Sequence, residues 1–216
     1  MSELLVKTKP YHRWFILIPL LFSGLWFSLL EKSILIPKYI LHVKLDDYIP
    51  YIPLFVVPYV LWYLYILVPA IFLFFKAPSE FTKMAIFLTA GMAVACTIYT
   101  LFPNGQALRP MLKNYDEPLV RLIRLIYSND SPANCAPSIH VIYSVAAHAA
   151  ISFYNNNRKR IVWINAASFV LAGACILSTV FIKQHSVIDL IMGLIFSVLL
   201  YRFIYRWGSQ KYTAAN

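Results

Sequence analysis

The sequence is short of charge. Only 13% of its 216 residues are Asp, Glu, Lys or Arg, about half the share in a soluble domain. That deficit excludes a disordered chain, a coiled coil and an ordinary soluble enzyme. Acids are the scarcest, 9 against 19 Lys and Arg. Cysteine is scarce too: Cys96, Cys135 and Cys175 are odd in number and widely spaced. They make neither a disulfide framework nor a metal-ligand spacing. There is no internal repeat, no low-complexity segment, no nucleic-acid motif and no linker long enough to divide domains. A single integral membrane domain over residues 1–216 is expected.

Apolar residues fill the space that charge leaves, at 60% of the chain, with 16% aromatic. A membrane span takes about 20 apolar residues, and six take roughly 120. Apolar runs lie at 14–30, 51–75, 84–102, 137–154, 161–182 and 186–205, charge-free but for Asp189 and Arg202 in the last. They predict an all-α, polytopic membrane protein with six transmembrane helices. Pro53, Pro58 and Pro69 interrupt the second run, which neighbouring helices can accommodate in a membrane. The first run follows Lys7, Lys9 and Arg13, and no small-residue cleavage site comes after it. An uncleaved first helix is therefore expected. The aromatics suit membrane interfaces and ordinary packing alike.

Loop charges orient the helices. With the N-terminus inside, the inner segments hold 11 of the Lys and Arg residues and the outer segments 8. Asn155-Asn156-Asn157-Arg158-Lys159-Arg160 is the strongest inside marker. Both termini are then cytoplasmic, in a multi-pass protein of the cell membrane. The polar stretch from Pro103 to Cys135 falls outside. Within it, Glu117, Arg121, Arg124 and Ser128 share one helical face, and Leu119, Val120, Leu122, Ile123, Ile126 and Tyr127 fill the other. With Asp116 as N-cap and Pro118 in the first turn, this predicts a short extracytoplasmic amphipathic helix. The same pattern fits an ordinary helix on the protein surface.

Ionisable residues in or beside membrane spans are functional candidates. Three segments supply them: Asn104 to Pro110 after the third run, Asn134 to His140 opening the fourth, and Ser178 to Asp189 joining the fifth to the sixth. Parity puts all three on one side of the membrane, and the loop charges make that side extracytoplasmic. His185 and Asp189 are four apart at a helix start and share a face. A carboxylate at one imidazole nitrogen fixes the tautomer and raises the basicity of the other, which prepares a nucleophile or a base. His140 lies beside the N-terminus of the fourth helix, where free N–H groups favour an anion. The Ser138 hydroxyl, next to Pro137, can donate to an oxyanion. Arg109 offers a planar fork suited to phosphate, and Lys183 adds positive charge near His185. Two histidines, a carboxylate and cationic donors are the parts of phosphoryl transfer through a phosphohistidine.

Each part also has a plainer reading. Arg109 can anchor a loop at the headgroups, Pro137-Ser138 can be a helix cap, and His185 with Asp189 can be a structural pair. His148, further along the fourth helix, reads as a packing residue. No third His or Cys has zinc-ligand spacing, so no metal site and no cofactor are expected.

The three segments resemble the type 2 phosphatidic acid phosphatase superfamily, the lipid phosphate phosphatases related to vanadium haloperoxidases. That pattern runs Lys, six residues, Arg-Pro; then Pro-Ser-Gly-His; then Ser-Arg, five residues, His, three residues, Asp. This chain has Arg109-Pro110, Pro137-Ser138 with His140, and Ser178, His185 and Asp189 at the family spacing. The resemblance implies His185 as nucleophile, Asp189 as its orienting partner and His140 as the acid that protonates the leaving oxygen. It implies Arg109 and Ser138 as phosphate ligands and no metal. Six spans and an outer-face site accord with the family.

Three positions depart from the pattern: Phe102 for Lys, Ile139 for Gly and Thr179 for Arg. Two phosphate-binding cations are thereby lost, unless Lys183 or Lys113 substitutes. A phosphodiester carries less charge than a phosphomonoester. The expected function is therefore a lipid phosphate phosphatase or phosphotransferase acting through a phosphohistidine. Headgroup transfer similar to inositol phosphorylceramide or sphingomyelin synthase is a first alternative, and a catalytically impaired lipid-binding membrane protein a second. The expected partner is a lipid phosphate or phospholipid substrate, not nucleic acid.

Overall fold

A computed structural model describes residues 12–112, 117–158 and 161–207. Among these the protein is all-α apart from one two-residue ladder. The helices are α1 (His12–Phe15), α2 (Leu17–Ser33), α3 (Lys44–Tyr48), α4 (Val56–Lys76), α5 (Pro78–Leu101), α6 (Pro118–Asn129), α7 (Ile139–Arg158), α8 (Val162–Phe181) and α9 (Val187–Tyr201). α9 runs on as a π-helical segment over Arg202–Trp207.

Four stretches are long and apolar enough to cross a membrane: Pro53–Lys76, Pro78–Leu101, Val162–Phe181 and Val187–Tyr205. Their outward faces are apolar as well. Leu64, Val68 and Phe75 of α4, Phe169 and Val170 of α8, and Ile195 and Leu199 of α9 all stand exposed. Such faces are stable only against lipid, and the chain is a membrane protein. α7 is less apolar for a packing reason. It lies against α4, α5, α8 and α9, and it buries Ala146, Ala147, Ala149 and Ala150. Small residues let neighbouring backbones approach closely where greasy side chains would hold them apart.

Helix bounds differ from the apolar runs where a charged residue sits inside a helix. α5 begins at Pro78, not 84, and takes in Glu80 and Lys83. Lys83 Nζ lies 4.1 Å from the centre of the Phe153 ring, and Glu80 is buried beside the Ser79 hydroxyl. α2 runs past Leu30 to Ser33, which carries Glu31 and Lys32 on the helix itself. α6 has Glu117 at its N-cap, where the sequence predicts Asp116, and Pro118 at the first position. Asp116 and Lys113 lie outside the described residues. The apolar face of α6 packs on protein: Val120 and Ile123 are buried with Val56, Tyr59 and Ile182.

The α2–α4 and α5–α6 connections meet in a parallel ladder, β1 (Tyr39–Ile40) with β2 (Asn104–Gly105). Gly105 also bridges Ala133. A Cβ on Gly105 would overlap the Pro132 carbonyl and the Pro37 ring, so only glycine lets these three strands of chain meet. At the same end Ile52 N–H donates to the Phe181 carbonyl at 3.0 Å. The C-terminal ends of α2, α5 and α8 and the N-terminal ends of α4, α7 and α9 thus gather together.

Candidate active site

The Lys183–Ser186 turn opens the site. Gln184 and His185 both donate their N–H to the Thr179 carbonyl, at 2.7 and 3.0 Å. Lys183 takes a left-handed φ of 56° to make the turn. Ser186 then caps α9, and its N–H donates to Asp189 Oδ2 at 2.9 Å. The same oxygen lies 3.2 Å from His185 Nδ1. Asp189 is fully buried. A carboxylate there holds the proton on Nδ1 and leaves Nε2 with a free lone pair.

α7 brings up the second motif. Asn104 binds its lead-in, donating to the Ala136 carbonyl at 2.9 Å and accepting from Ala136 N–H at 2.7 Å. Tyr99 holds the Pro137 carbonyl at 2.6 Å. Ser138 N–H donates to the Asp189 carbonyl at 3.1 Å, which ties the start of α7 to α9. Gly193 permits that approach: a Cβ there would stand 2.9 Å from Val141 Cβ and 3.0 Å from the Ser138 carbonyl. The His140 ring sits against Tyr59 and Trp62, with centroids 4.7 and 4.3 Å away. It faces His185 at 5.8 Å. Among the described residues, His140 Nε2 and Ser138 Oγ are buried with no hydrogen-bond partner.

Both predicted cations reach other groups. Arg109 donates to the carbonyls of Asp130 (2.8 Å), Ser131 (3.0 Å) and Tyr127 (3.3 Å), and to Gln184 Oε1 at 2.5 Å. It stacks 4.6 Å over the Tyr127 ring, and its Nε alone lacks a partner. Arg109 therefore fastens the loop after α6 to the residue beside His185. Lys183 Nζ donates to the carbonyls of Asp46 (2.9 Å) and Ile49 (2.6 Å). Of the residues predicted for the site, His140 and His185 line one cavity, whereas Arg109, Ser138, Lys183 and Asp189 are not in its lining. The two positions where the family pattern has cations hold neutral contacts. Phe102 stacks on Tyr39 at 4.0 Å. Thr179 is buried, with its hydroxyl on the Ile176 carbonyl at 2.8 Å.

That cavity is about 990 Å³ and open at one side, with Phe27, Met92, Tyr63, Tyr143 and Leu125 among its walls. This is the size and mixed lining of a small-molecule site. Polar groups that the sequence did not single out line it as well: Glu31, Lys32, Asp130, Asn134 and Gln184. Glu31 accepts from Asn134 Nδ2 at 2.8 Å, and Asp130 accepts from Gln184 Nε2 at 3.1 Å. Burial, then the nearby Glu31, raise the Asp130 carboxyl to about 6 against the opposing pull of Arg109 and His185. Two signals in the sequence could have found the charged ones. Acids are rare in this chain, and the helical period carries α2 beyond its last apolar residue.

Cys135, His185 and Asp189 place one donor atom each within 4.8 Å of one another, all buried. The sequence spacing did not anticipate this convergence. Cys135 and one oxygen of Asp189 already have protein partners, however. The Cys135 thiol donates toward the Pro132 and Ala133 carbonyls at 3.4 and 3.5 Å. Burial, then Asp189, hold that thiol well above its ordinary pKa, in the neutral form that binds metal poorly. The trio fits a packed hydrogen-bonded corner better than a metal site.

Residues 112–212 match the family model described as the PAP2 superfamily. The matched segment takes in Ser138, His140, Lys183, His185 and Asp189 and leaves Arg109 outside. Neither the curated proteins nor the solved structures give a match to the chain.

Proposed function

We propose that this chain, which belongs to the PAP2 superfamily by its residues 112–212, is an integral membrane lipid phosphate phosphatase or phosphotransferase. It works through a phosphohistidine on His185. One observation carries the reading: His185, bonded through Nδ1 to buried Asp189, faces His140 at 5.8 Å in the wall of an open cavity. In this proposal α2 and α7 join the four apolar helices as spans. The loop charges put both termini in the cytoplasm and the cavity at the outer face.

The chemistry then runs in two displacements. His185 Nε2 attacks phosphorus in line with the ester bond, a P–N bond forms and the P–O bond breaks. His140 gives its proton to the departing oxygen. In the second step water, or a lipid alcohol, gives a proton to His140 and attacks phosphorus, and His185 leaves. Asp189 steadies the Nδ1 proton throughout. Ser138 Oγ and Arg109 Nε, buried behind the cavity lining without partners among the described residues, are the donors offered to phosphate oxygens.

Headgroup transfer is the second reading. It is favoured by Phe102 and Thr179 at the family's cationic positions and by Glu31 and Asp130 in the cavity wall. A dianionic phosphomonoester is repelled there more than a phosphodiester is. Phosphate release from a panel of lipid phosphates by purified protein, with His185→Ala beside it, decides the matter. The wild type is expected to release phosphate and the variant to lose about 10⁴-fold or more. Retained activity in the folded variant overturns the mechanism. If the wild type releases no phosphate yet moves a labelled headgroup to an acceptor lipid, the second reading stands.

A further inference from the structure

We propose that Asp46, in the connection between α2 and α4, is a positioning residue for the His185–Asp189 pair, holding the start of α9 so that Asp189 stays available to His185. The kinetic part of this inference rests on the function proposed above.

Asp46 is an unusual residue for its place. It is 2% exposed in a chain with few acids, and it sits in a helix of only five residues. Its carboxylate reaches α9 directly. Oδ1 accepts from Val187 N–H at 2.8 Å, and Oδ2 accepts from the Ser186 hydroxyl at 2.6 Å. Oδ2 also accepts from Val43 N–H at 2.9 Å, which closes the turn that carries Asp46. In the opposite direction Lys183 Nζ donates to the carbonyls of Asp46 and Ile49. Two side chains therefore cross between the same two segments, one on each side of His185 in sequence.

The first turn of a helix presents N–H groups that lack intrahelical partners. At α9 two carboxylates meet that need. Asp189 takes Ser186 N–H, and Asp46 takes Val187 N–H and the Ser186 hydroxyl. Without Asp46 the part-buried Val187 N–H and the buried Ser186 hydroxyl lose their acceptor, and Asp189 is the carboxylate on the same helix turn. Its Oδ1 has no partner among the described residues. Turning toward those donors draws Asp189 off His185 Nδ1. Asp46 thus prevents a competition that the nucleophile would lose. Nothing in the family pattern of the three motifs includes this position.

The test uses the full chain in detergent or nanodiscs, with Asp46→Ala and Asp46→Asn. The first readout is the ¹⁵N-histidine spectrum, with His185 assigned by its loss in His185→Ala. It reports the Nδ1–H hydrogen bond and needs no substrate. The second is kcat and KM per folded protein on a lipid phosphate. Asp46→Ala is expected to weaken the Nδ1–H signature and lower kcat about 10- to 100-fold with KM nearly unchanged. Asp46→Asn keeps an acceptor for Val187 N–H and is expected to retain most of both, which also covers an alanine variant that fails to fold. A lower Tm with an unchanged His185 spectrum and unchanged kcat overturns the inference and leaves Asp46 a structural cap. If the wild type turns over no lipid phosphate while Asp46→Ala still alters the His185 spectrum, the proposed function fails and the positioning role stands.

Discussion

The two walls of the site, one at the start of α9 and one at the start of α7, are finished to different degrees. On the α9 wall, His185 Nδ1, Ser186 N–H and one oxygen of Asp189 bond to each other, and Asp46 takes the donors left over. Among the buried polar atoms of the described residues there, Asp189 Oδ1 is the one without a partner. On the α7 wall and at Arg109, Ser138 Oγ, His140 Nε2 and Arg109 Nε are buried with none among the described residues. A buried polar atom without a partner costs about 1–3 kcal/mol. The protein carries that cost on the side where phosphate oxygens and the leaving oxygen belong in the proposed reaction. In the proposed reaction the nucleophile is thus built in advance, and the receiving wall is completed by what binds.

Breaking the two walls separately should give different signatures. His140→Ala is expected to lower turnover about 10²- to 10⁴-fold on a lipid phosphate. On a p-nitrophenyl ester, whose leaving oxygen needs no proton, the loss should shrink to tenfold or less, whereas His185→Ala stays inactive on both. An equal loss on both esters removes the acid role from His140. Ser138→Ala is the milder break. Deleting an unpartnered hydroxyl should leave stability unchanged or raise it by about 1 kcal/mol, while vanadate affinity falls about 5- to 10-fold. A thermal melt and a vanadate titration check the two signs, and a variant that loses stability without losing affinity contradicts the assignment.

The difference between the walls also separates what the sequence made legible. His185 and Asp189 are neighbours on one helix turn, so their spacing alone pairs them. His140, Ser138 and Arg109 reach the same end by helix parity, which the apolar runs supply. The partners of the cations were not legible. Lys183 and Arg109 read as phosphate ligands because their charge is visible in a sequence and the carbonyls of Asp46, Ile49, Asp130 and Ser131 are not. Glu31 and Lys32 were hidden for the opposite reason. A charge ends an apolar run, but helix propensity carries α2 on to Ser33. Asp46 lay in a connection whose fold depends on contacts with residues about 140 positions away.

Asp130 sharpens the comparison through pH. Its carboxyl is raised from 3.8 to about 6 in the folded protein, by burial first and Glu31 second. Between those values the folded state holds a proton that the unfolded state has released. Stability from this group is therefore full below about 4 and is lost as pH rises to about 6. Asp130→Asn keeps an acceptor for Gln184 and removes the titration. Its Tm should exceed that of the wild type at pH 7, and the gap should close toward pH 4. The same fall in Tm from pH 4 to pH 7 in both proteins assigns the titration elsewhere.

The smallest expected effect distinguishes two lysines. Lys32 lines the cavity, and none of its hydrogen bonds or ion pairs is with a described residue. Lys183 is closer to His185 in sequence, but its ammonium is bound to two carbonyls outside the cavity lining. Charge in the cavity acts on an anion there, whereas charge committed to carbonyls acts on the fold. Lys32→Ala should weaken vanadate binding about two- to fivefold, the range of a solvent-exposed ion pair, and leave Tm alone. Lys183→Ala should leave vanadate affinity alone and lower Tm by a few degrees, as the loss of two charge-assisted bonds implies. The reverse pattern, affinity lost with Lys183 and kept without Lys32, would return Lys183 to the phosphate and require the turn at 183–186 to rearrange when substrate binds.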